Sequence, residues 1–477
     1  MKSKSPIKLA VTFHGAARTT TGSQHLLEVD DKHILLDCGL FQGRRKDTYD
    51  RNLNFPFPPA TLHSAVLSHA HIDHSGNFPN LVEQGFEGPI YATAATLDLC
   101  RLMLRDSAFI QERDAEWINR RDRKRGTNGH AKPLYTVDEA ETAITRFHSI
   151  EYHRFQHLLR EVRMAFYDAG HILGSAIMVF EFIRAGAPPA RLAFTGDLGR
   201  AGLPVLRNPE IPHNLDWLIM EGTYGVRTHD DISEAKEELR DVITRVAARG
   251  GKVIVPSFSV ERTQEIVYYL NELHNNQAIP PIPVYVDSPL ATNVTEIFRL
   301  HTECFNDQTR ALMRSDPDPF GFSRLTYTQN VEQSKALNAM RMPCVIISAA
   351  GMCEAGRIVH HLRNSLEDPK NCILFVGYQA AHTLGRKIVE RVPVVNIWGD
   401  PFRVRAEVVT LNTFSGHADM HALHDYARQV HRNSPNLKKI FLVHGEEASL
   451  QTLGATLREH LDVNIVIPQL GERHLLN

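Results

Sequence analysis

Cysteine is scarce in this chain: six residues in 477, scattered at Cys38, Cys100, Cys304, Cys344, Cys353 and Cys372. None forms a Cys-x-x-Cys pair, which argues against a thiolate zinc site and against a disulfide framework, and fits a reducing compartment. No run approaches the roughly 18 apolar residues of a membrane span. The opening Met1-Lys2-Ser3-Lys4-Ser5-Pro6 contains no apolar signal core. Charge of one sign is also missing. With 53 basic against 55 acidic residues and a net charge of −2, bulk electrostatics recruits no polyanion, so any nucleic-acid affinity must come from local patches or bound metal. There is no internal repeat and no low-complexity tract. A hydrophobic fraction of 43% with 23% charged residues is that of a globular protein. The expectation is a soluble cytoplasmic protein with no membrane partner.

The length implies two large domains, since domains usually hold roughly 100–200 residues. Through about residue 221, short apolar runs alternate with Gly, Asp, Asn and Pro turns: Leu9–Phe13, His33–Leu36, Ala65–Ser68, Val162–Tyr167, Ile177–Phe182, Leu192–Thr195 and Trp217–Met220. Strands at this density predict large sheets. Residues 97–125 read as helix, with the run Arg120-Arg121-Asp122-Arg123-Lys124-Arg125 expected in a solvated basic loop rather than an RNA track. From residue 222 the texture becomes strand–helix–strand, with strands at Val253–Val255, Val284–Val286, Cys344–Ser348 and Cys372–Val376. That repetition predicts a parallel sheet flanked by helices. After about 405 the first texture returns, with strand Lys439–Val443 and a helix over 447–460. The expected organisation is one domain, 1–221 plus 405–477, interrupted by an α/β domain at 222–404.

What the chain does have is a dense set of metal-ligand side chains. His69, His71, Asp73 and His74 fall within six residues, directly after the apolar run Ala65–Ser68. Along an extended strand end, His69 and His71 would share one side, and Asp73 with His74 would sit at the mouth of a following helix. One pair can hold one ion while the second reaches another. Imidazole suits zinc, and an added carboxylate suits a catalytic rather than a closed structural site. A lone histidine would be unremarkable, but similar residues recur wherever a strand gives way to a turn: Asp37, His171, Asp197, Glu221, His417 and His444. Any one of them, Asp197 for example, could simply begin a turn. Their recurrence at strand ends, where α/β scaffolds place chemistry, points to a site.

The His-x-His-x-Asp-His segment, with Asp37 before it and His171 and Asp197 after it, resembles the metallo-β-lactamase fold, a four-layer αββα sandwich. Further blocks resemble the β-CASP branch of that superfamily: Pro256–Glu265, Asp287–Ala291, Ser348–Met352, Gly377–Ala380 and Ser415–Asp419. That branch includes ribonuclease J and the nuclease subunit of the mRNA cleavage and polyadenylation machinery. The likeness covers nearly the whole chain. One departure is Ala355, where relatives usually carry a second glycine. The resemblance implies two zinc ions per chain, with His69, His71 and His171 on one, Asp73, His74 and His444 on the other, and Asp197 bridging. It implies that Asp37 orients a liganding histidine, and that Glu221 and His417 are the branch's additional acid and histidine. A histidine at the position of His444 is typical of members that act on RNA.

The function this implies is a zinc-dependent ribonuclease, endo- or 5′-exonucleolytic, that hydrolyses single-stranded RNA in RNA processing. A hydroxide activated by the zinc pair would attack phosphorus in a cleft between the two domains. Asp73, Glu221 and His417 are the expected catalytic residues, with His417 as the acid for the leaving 3′ oxygen. Arg262, Ser288, Arg357, His382 and Arg386, with the amides around Gly351, are the candidates for holding the RNA backbone. Relatives are often dimers, so a homodimer is one expectation. Two other readings compete. One is hydrolysis of a small thioester, ester or lactam, which the large insert disfavours. The other is a non-catalytic RNA-binding scaffold, which the complete ligand set disfavours.

Overall fold

A computed structural model describes residues 7–43, 45–126, 130–184, 186, 188–380 and 382–477; the polar opening segment Met1–Pro6 lies outside them. The chain divides into two compact units, 1–201 with 208–228 and 417–477, and 202–207 with 229–416.

The first unit holds two seven-stranded sheets. One runs, in spatial order, Arg473–Leu475, Leu9–Phe13, His25–Val29, Lys32–Leu36, Leu62–Val66, Ile90–Ala92 and Phe147–Ser149. The other runs Asn464–Val466, Lys439–Val443, Trp217–Glu221, Ala190–Phe194, Ala176–Phe182, Val162–Asp168 and Gln156–Leu159. Their facing side chains form one core, in which Phe13, Leu27, Ile34 and Val66 of the first sheet meet Phe166, Phe180, Phe194, Trp217 and Phe441 of the second. Strand alternation sends the neighbouring residues to the other face. Leu218, Met220, Ile440 and Leu442 there pack against Leu423, Tyr426, Leu450 and Leu453 of helices Met420–Arg432 and Glu447–His460. Strands covered on both faces read as continuous apolar runs, which is why Trp-Leu-Ile-Met is legible as a strand without any polar alternation. Helix Ala94–Lys124 lies against strand Phe147–Ser149 of the first sheet. The result is the expected αββα order of layers.

The second unit is built on a six-stranded sheet in the order Leu325–Tyr327, Val284–Val286, Cys344–Ser348, Lys252–Pro256, Cys372–Phe375 and Glu407–Thr410. Every pairing in it is parallel. Ile254, Ile346, Ile373 and Phe375 pack against Ile358, Leu362 and Ile388 from its helices.

Three local differences from the sequence reading have clear causes. Residues 405–416 belong with the inserted unit because Glu407–Thr410 completes its sheet beside Cys372–Phe375. Residues 222–228 stay with the first unit, where Tyr224 bridges Asp419 and the Met420 amide donates to the Arg227 carbonyl. The basic run at 120–124 is not a loop: helix Ala94–Lys124 continues through it and ends at Arg125. All six cysteines are buried and free. Among the described residues, no helix is long and apolar enough to cross a membrane.

Phe180 is fully buried between the two sheets of the first unit. Phe180→Ala is expected to cost about 3–5 kcal/mol, measured as a lowered midpoint in urea denaturation followed by circular dichroism.

Candidate metal centre

Strand Leu62–Val66 stops before the histidine motif begins, and a short helix, Ile72–Ser75, carries Asp73 and His74. His69 and His71 occupy the intervening turn. Their side chains still meet, with His69 Nε2 3.1 Å from His71 Nδ1. His171 reaches the same point from the loop after Val162–Asp168, its Nε2 3.2 Å from His71 Nδ1. Asp197 follows strand Ala190–Phe194, with Oδ2 3.5 Å from His69 Nε2 and 3.7 Å from His171 Nε2. Its other oxygen lies 3.4 Å from His74 Nε2 and 3.1 Å from His444 Nδ1. His444, at the end of strand Lys439–Val443, sits 3.1 Å from His74 and 3.6 Å from Asp73 Oδ2. Seven side chains therefore gather in two groups: His69, His71, His171 and Asp197, and Asp73, His74 and His444.

This arrangement fits cations better than it fits hydrogen bonds. A neutral imidazole has one donor and one acceptor, so three ring nitrogens converging at 3.1–3.2 Å cannot all satisfy one another. Asp197 Oδ1 is buried and makes no hydrogen bond despite its two histidine neighbours. Both groups combine imidazole with carboxylate, the ligand chemistry of catalytic zinc.

The protonation pattern follows from burial and charge. Burial holds His69 well below its ordinary value, aided by His74. Burial also brings His71 down to about 4, against Asp73 and Asp197, which raise it. Those two therefore present lone pairs. Burial would lower His74 as well, but Asp197 and Asp37 raise it well above the usual histidine range. Asp73 is held at about 2, because His444, His74 and His71 outweigh the effect of burial.

The surrounding contacts orient the ligands. Asp37 Oδ2 is 2.7 Å from His74 Nδ1 and accepts hydrogen bonds from the hydroxyls of Ser23 and Ser68, both at 3.0 Å, while its Oδ1 accepts from the Ser68 amide. This fixes the ring so that Nε2 faces the cluster. Gly39 is required here by close approach: a Cβ on it would lie 1.6 Å from the Asp73 carbonyl oxygen. Thr223 Oγ1 stands 3.2 Å from His444 Nδ1. Sequence reasoning assigned no role to Ser23, Ser68 or Thr223. The position of Ser68 directly before His69 was the only available signal.

His417 lies beside the cluster, its Nδ1 3.3 Å from Glu221 Oε1 and 3.9 Å from Asp197. Glu221 is fully buried and accepts from the amides of Leu198 and Thr223. Burial would lower His417, but Glu221, Asp197 and Asp73 bring it up to about 9.

The expected substrate-binding residues all lie in the inserted unit. Arg357 Nη1 donates to Asp287 at 2.7 Å, and the same carboxylate accepts from Ser334 and Thr328 and lies 2.7 Å from His361 Nε2. These contacts hold Asp287 far below the usual carboxylate range, against the effect of burial. Ser288 caps helix Pro289–Leu300. Gly351 packs under the Phe258 ring, and its carbonyl accepts from Gln379. Arg262 is buried and pairs with Glu265. Arg386 is half-buried and pairs with Glu390, and His382 is exposed in a left-handed conformation. Gly356, whose φ is +82° and whose Cβ would strike the Ala349 carbonyl, carries the unusual geometry of its loop; Ala355 does not, so alanine is accommodated.

Three family models match the chain: a metallo-beta-lactamase superfamily domain at residues 26–182, a Beta-Casp domain at 263–388, and a Zn-dependent metallo-hydrolase RNA specificity domain at 401–468. The chain is 36% identical to ribonuclease TTHA0252 of Thermus thermophilus over 93% of its own length and 94% of that protein. The chain belongs to the β-CASP ribonuclease branch of the metallo-β-lactamase superfamily. It is 31% identical to transcription termination factor FttA of Methanocaldococcus jannaschii, covering 96% of this chain and 70% of that one. A crystal structure of a protein of unknown function from Enterococcus faecalis shares the fold, with a TM-score of 0.56 at 14% identity over 98% of this chain and all of that one. Membership of this branch makes the chain a hydrolytic nuclease and implies a metal cofactor.

Two substitutions test the centre without reference to turnover. His69→Ala is expected to remove bound metal, measured by elemental analysis of the dialysed protein. Asp37→Ala should leave the fold intact and weaken metal affinity by about 10–100-fold in competition with a chelator.

Proposed function

We propose that the chain is a zinc-dependent ribonuclease that binds two zinc ions and cleaves single-stranded RNA. The observation that carries this reading is that Asp197, grouped with His69, His71 and His171, also reaches His74 at 3.4 Å and His444 at 3.1 Å in the second group, in a β-CASP chain that has His444 at the position typical of RNA-acting relatives. One ion would be held by His69, His71 and His171, the other by Asp73, His74 and His444. Zinc so placed supplies activated water at neutral pH and neutralises charge on the phosphate oxygens.

The chain's own residues do the rest. Asp37 keeps the Nδ1 proton of His74 on its carboxylate side. Glu221, held by two backbone amides, accepts from His417 Nδ1 and fixes that ring's tilt. His417 Nε2 then carries the proton for the departing 3′ oxygen, the step for which a positioned imidazolium is suited. Asp73 belongs to both the ligand set and the catalytic group, since its carboxylate lies against His444. In the inserted unit, Arg357 offers phosphate a guanidinium already oriented by Asp287, and Ser288, Gly351, His382 and Arg386 are further backbone contacts. Arg262, taken up by Glu265, supports its helix more than it meets substrate.

Zinc-loaded protein is expected to shorten end-labelled single-stranded RNA. RNA left intact while a small ester is turned over would overturn this reading in favour of a small-molecule hydrolase. His417→Ala should retain its zinc and lose about 10²–10⁴-fold in rate. Unchanged turnover would remove His417 from the acid role.

A further inference from the structure

Glu221 holds His417 at one atom. The Nδ1–Oε1 distance is 3.3 Å, and a hydrogen bond at a single ring nitrogen leaves the imidazole plane free to rock about it. Two further rings touch it. The His171 ring lies 4.4 Å away between centres, tilted at 40°, and the Tyr224 ring stands at 90° to it with 5.6 Å between centres. Perpendicular packing at that separation is a geometry aromatic rings prefer, because the positive edge of one meets the negative face of the other. His171 is already committed to the first ligand group, whereas Tyr224 belongs to neither.

The backbone keeps Tyr224 and His417 in step. Tyr224 bridges Asp419, two residues beyond His417, and the Met420 amide donates to the Arg227 carbonyl at 2.9 Å. His417 itself bridges Gly199, and the Ala418 amide donates to the Leu198 carbonyl at 2.9 Å. Gly225 passes so near helix Glu447–His460 that a Cβ on it would stand 2.6 Å from the Ser449 carbonyl oxygen. The Arg227 guanidinium lies 5.7 Å from the Tyr224 ring centre and adds a second contact to that ring. The segment after strand Trp217–Met220 therefore gives His417 both a carboxylate for Nδ1 and, three residues later, a ring for its plane.

We infer that Tyr224 is a positioning residue for the acid: its ring fixes the plane of His417 so that Nε2 meets the departing oxygen in line for proton transfer. In that step hydroxide bonds to phosphorus, the P–O3′ bond breaks with its electron pair on O3′, and that oxygen takes the Nε2 proton, which solvent later restores. Orientation of a proton donor matters most when the leaving oxygen is a poor one and least when it departs unaided. A ring that only filled space would slow every substrate alike. The inference rests on the acid role given to His417 above, but part of its test does not require RNA cleavage.

The test compares the p-nitrophenyl and phenyl esters of uridine 5′-monophosphate on the full-length, zinc-loaded protein. Their aryl oxygens stand in for the 3′ oxygen; p-nitrophenolate leaves readily without a proton and phenolate does not. Tyr224→Leu keeps apolar bulk without the ring, and its kcat on the phenyl ester should fall about five-fold further than on the p-nitrophenyl ester. Tyr224→Phe should keep the wild-type ratio. Independently of turnover, the His417 Cε1–H resonance of histidine-labelled protein, assigned by its disappearance in His417→Gln, should shift in Tyr224→Leu and hold its place in Tyr224→Phe. Equal losses on the two esters, an unmoved resonance, or a Tyr224→Phe protein that behaves as Tyr224→Leu would each overturn the inference. A protein that leaves RNA intact yet shows the Tyr224-dependent ester ratio would keep the inference and remove the ribonuclease reading.

Discussion

A single buried carboxylate organises the centre. Asp197 faces His69 and His171 with one oxygen and His74 and His444 with the other, so it touches members of both ligand groups. Among the described residues, nothing satisfies its Oδ1 by hydrogen bonding. A buried charge left in that condition is costly, and five imidazoles around it supply compensation only through protons or cations. The neighbouring Asp37, with three hydrogen-bond donors of its own and His74 alongside, sets which nitrogen each side of the His74 ring presents.

The sandwich makes this convergence mechanically possible. Its strands are covered on both faces, by the other sheet and by helices, so their ends are held to the precision of a packed core. The candidate ligands come from loops or turns at the ends of strands Leu62–Val66, Val162–Asp168, Ala190–Phe194 and Lys439–Val443, and from the short helix Ile72–Ser75 that follows the first of these. Residues 370 positions apart, His74 and His444, thereby meet at 3.1 Å. Close-approach glycines do part of this work. A side chain at Gly39 would displace the Asp73 backbone, and one at Gly199 would lie 1.7 Å from the Gly170 carbonyl beside His171.

The inserted unit follows the same logic with different chemistry. Asp287, Ser348 and Ser257 stand at the carboxyl ends of adjacent parallel strands, the usual position for function in such sheets. Asp287 gathers Arg357, His361, Ser334 and Thr328 into one network. Four contacts on one carboxylate lock the orientation of Arg357.

Local chemistry was written plainly in the chain. Apolar runs such as Trp217–Met220 marked strands, and the crowding of His69, His71, Asp73 and His74 marked a metal site, because periodicity and ligand type are properties of short segments. Their recurrence at strand ends extended that reading to His171, Asp197 and His444, and the family resemblance implied which ion each would hold. Contacts between distant segments stayed hidden: the serines on Asp37, the Asp287 network, and the strand Glu407–Thr410 that assigns residues 405–416 to the inserted unit. Each depends on which surfaces the core brings together and which it leaves in water. That is decided by packing over hundreds of residues rather than by any stretch of sequence.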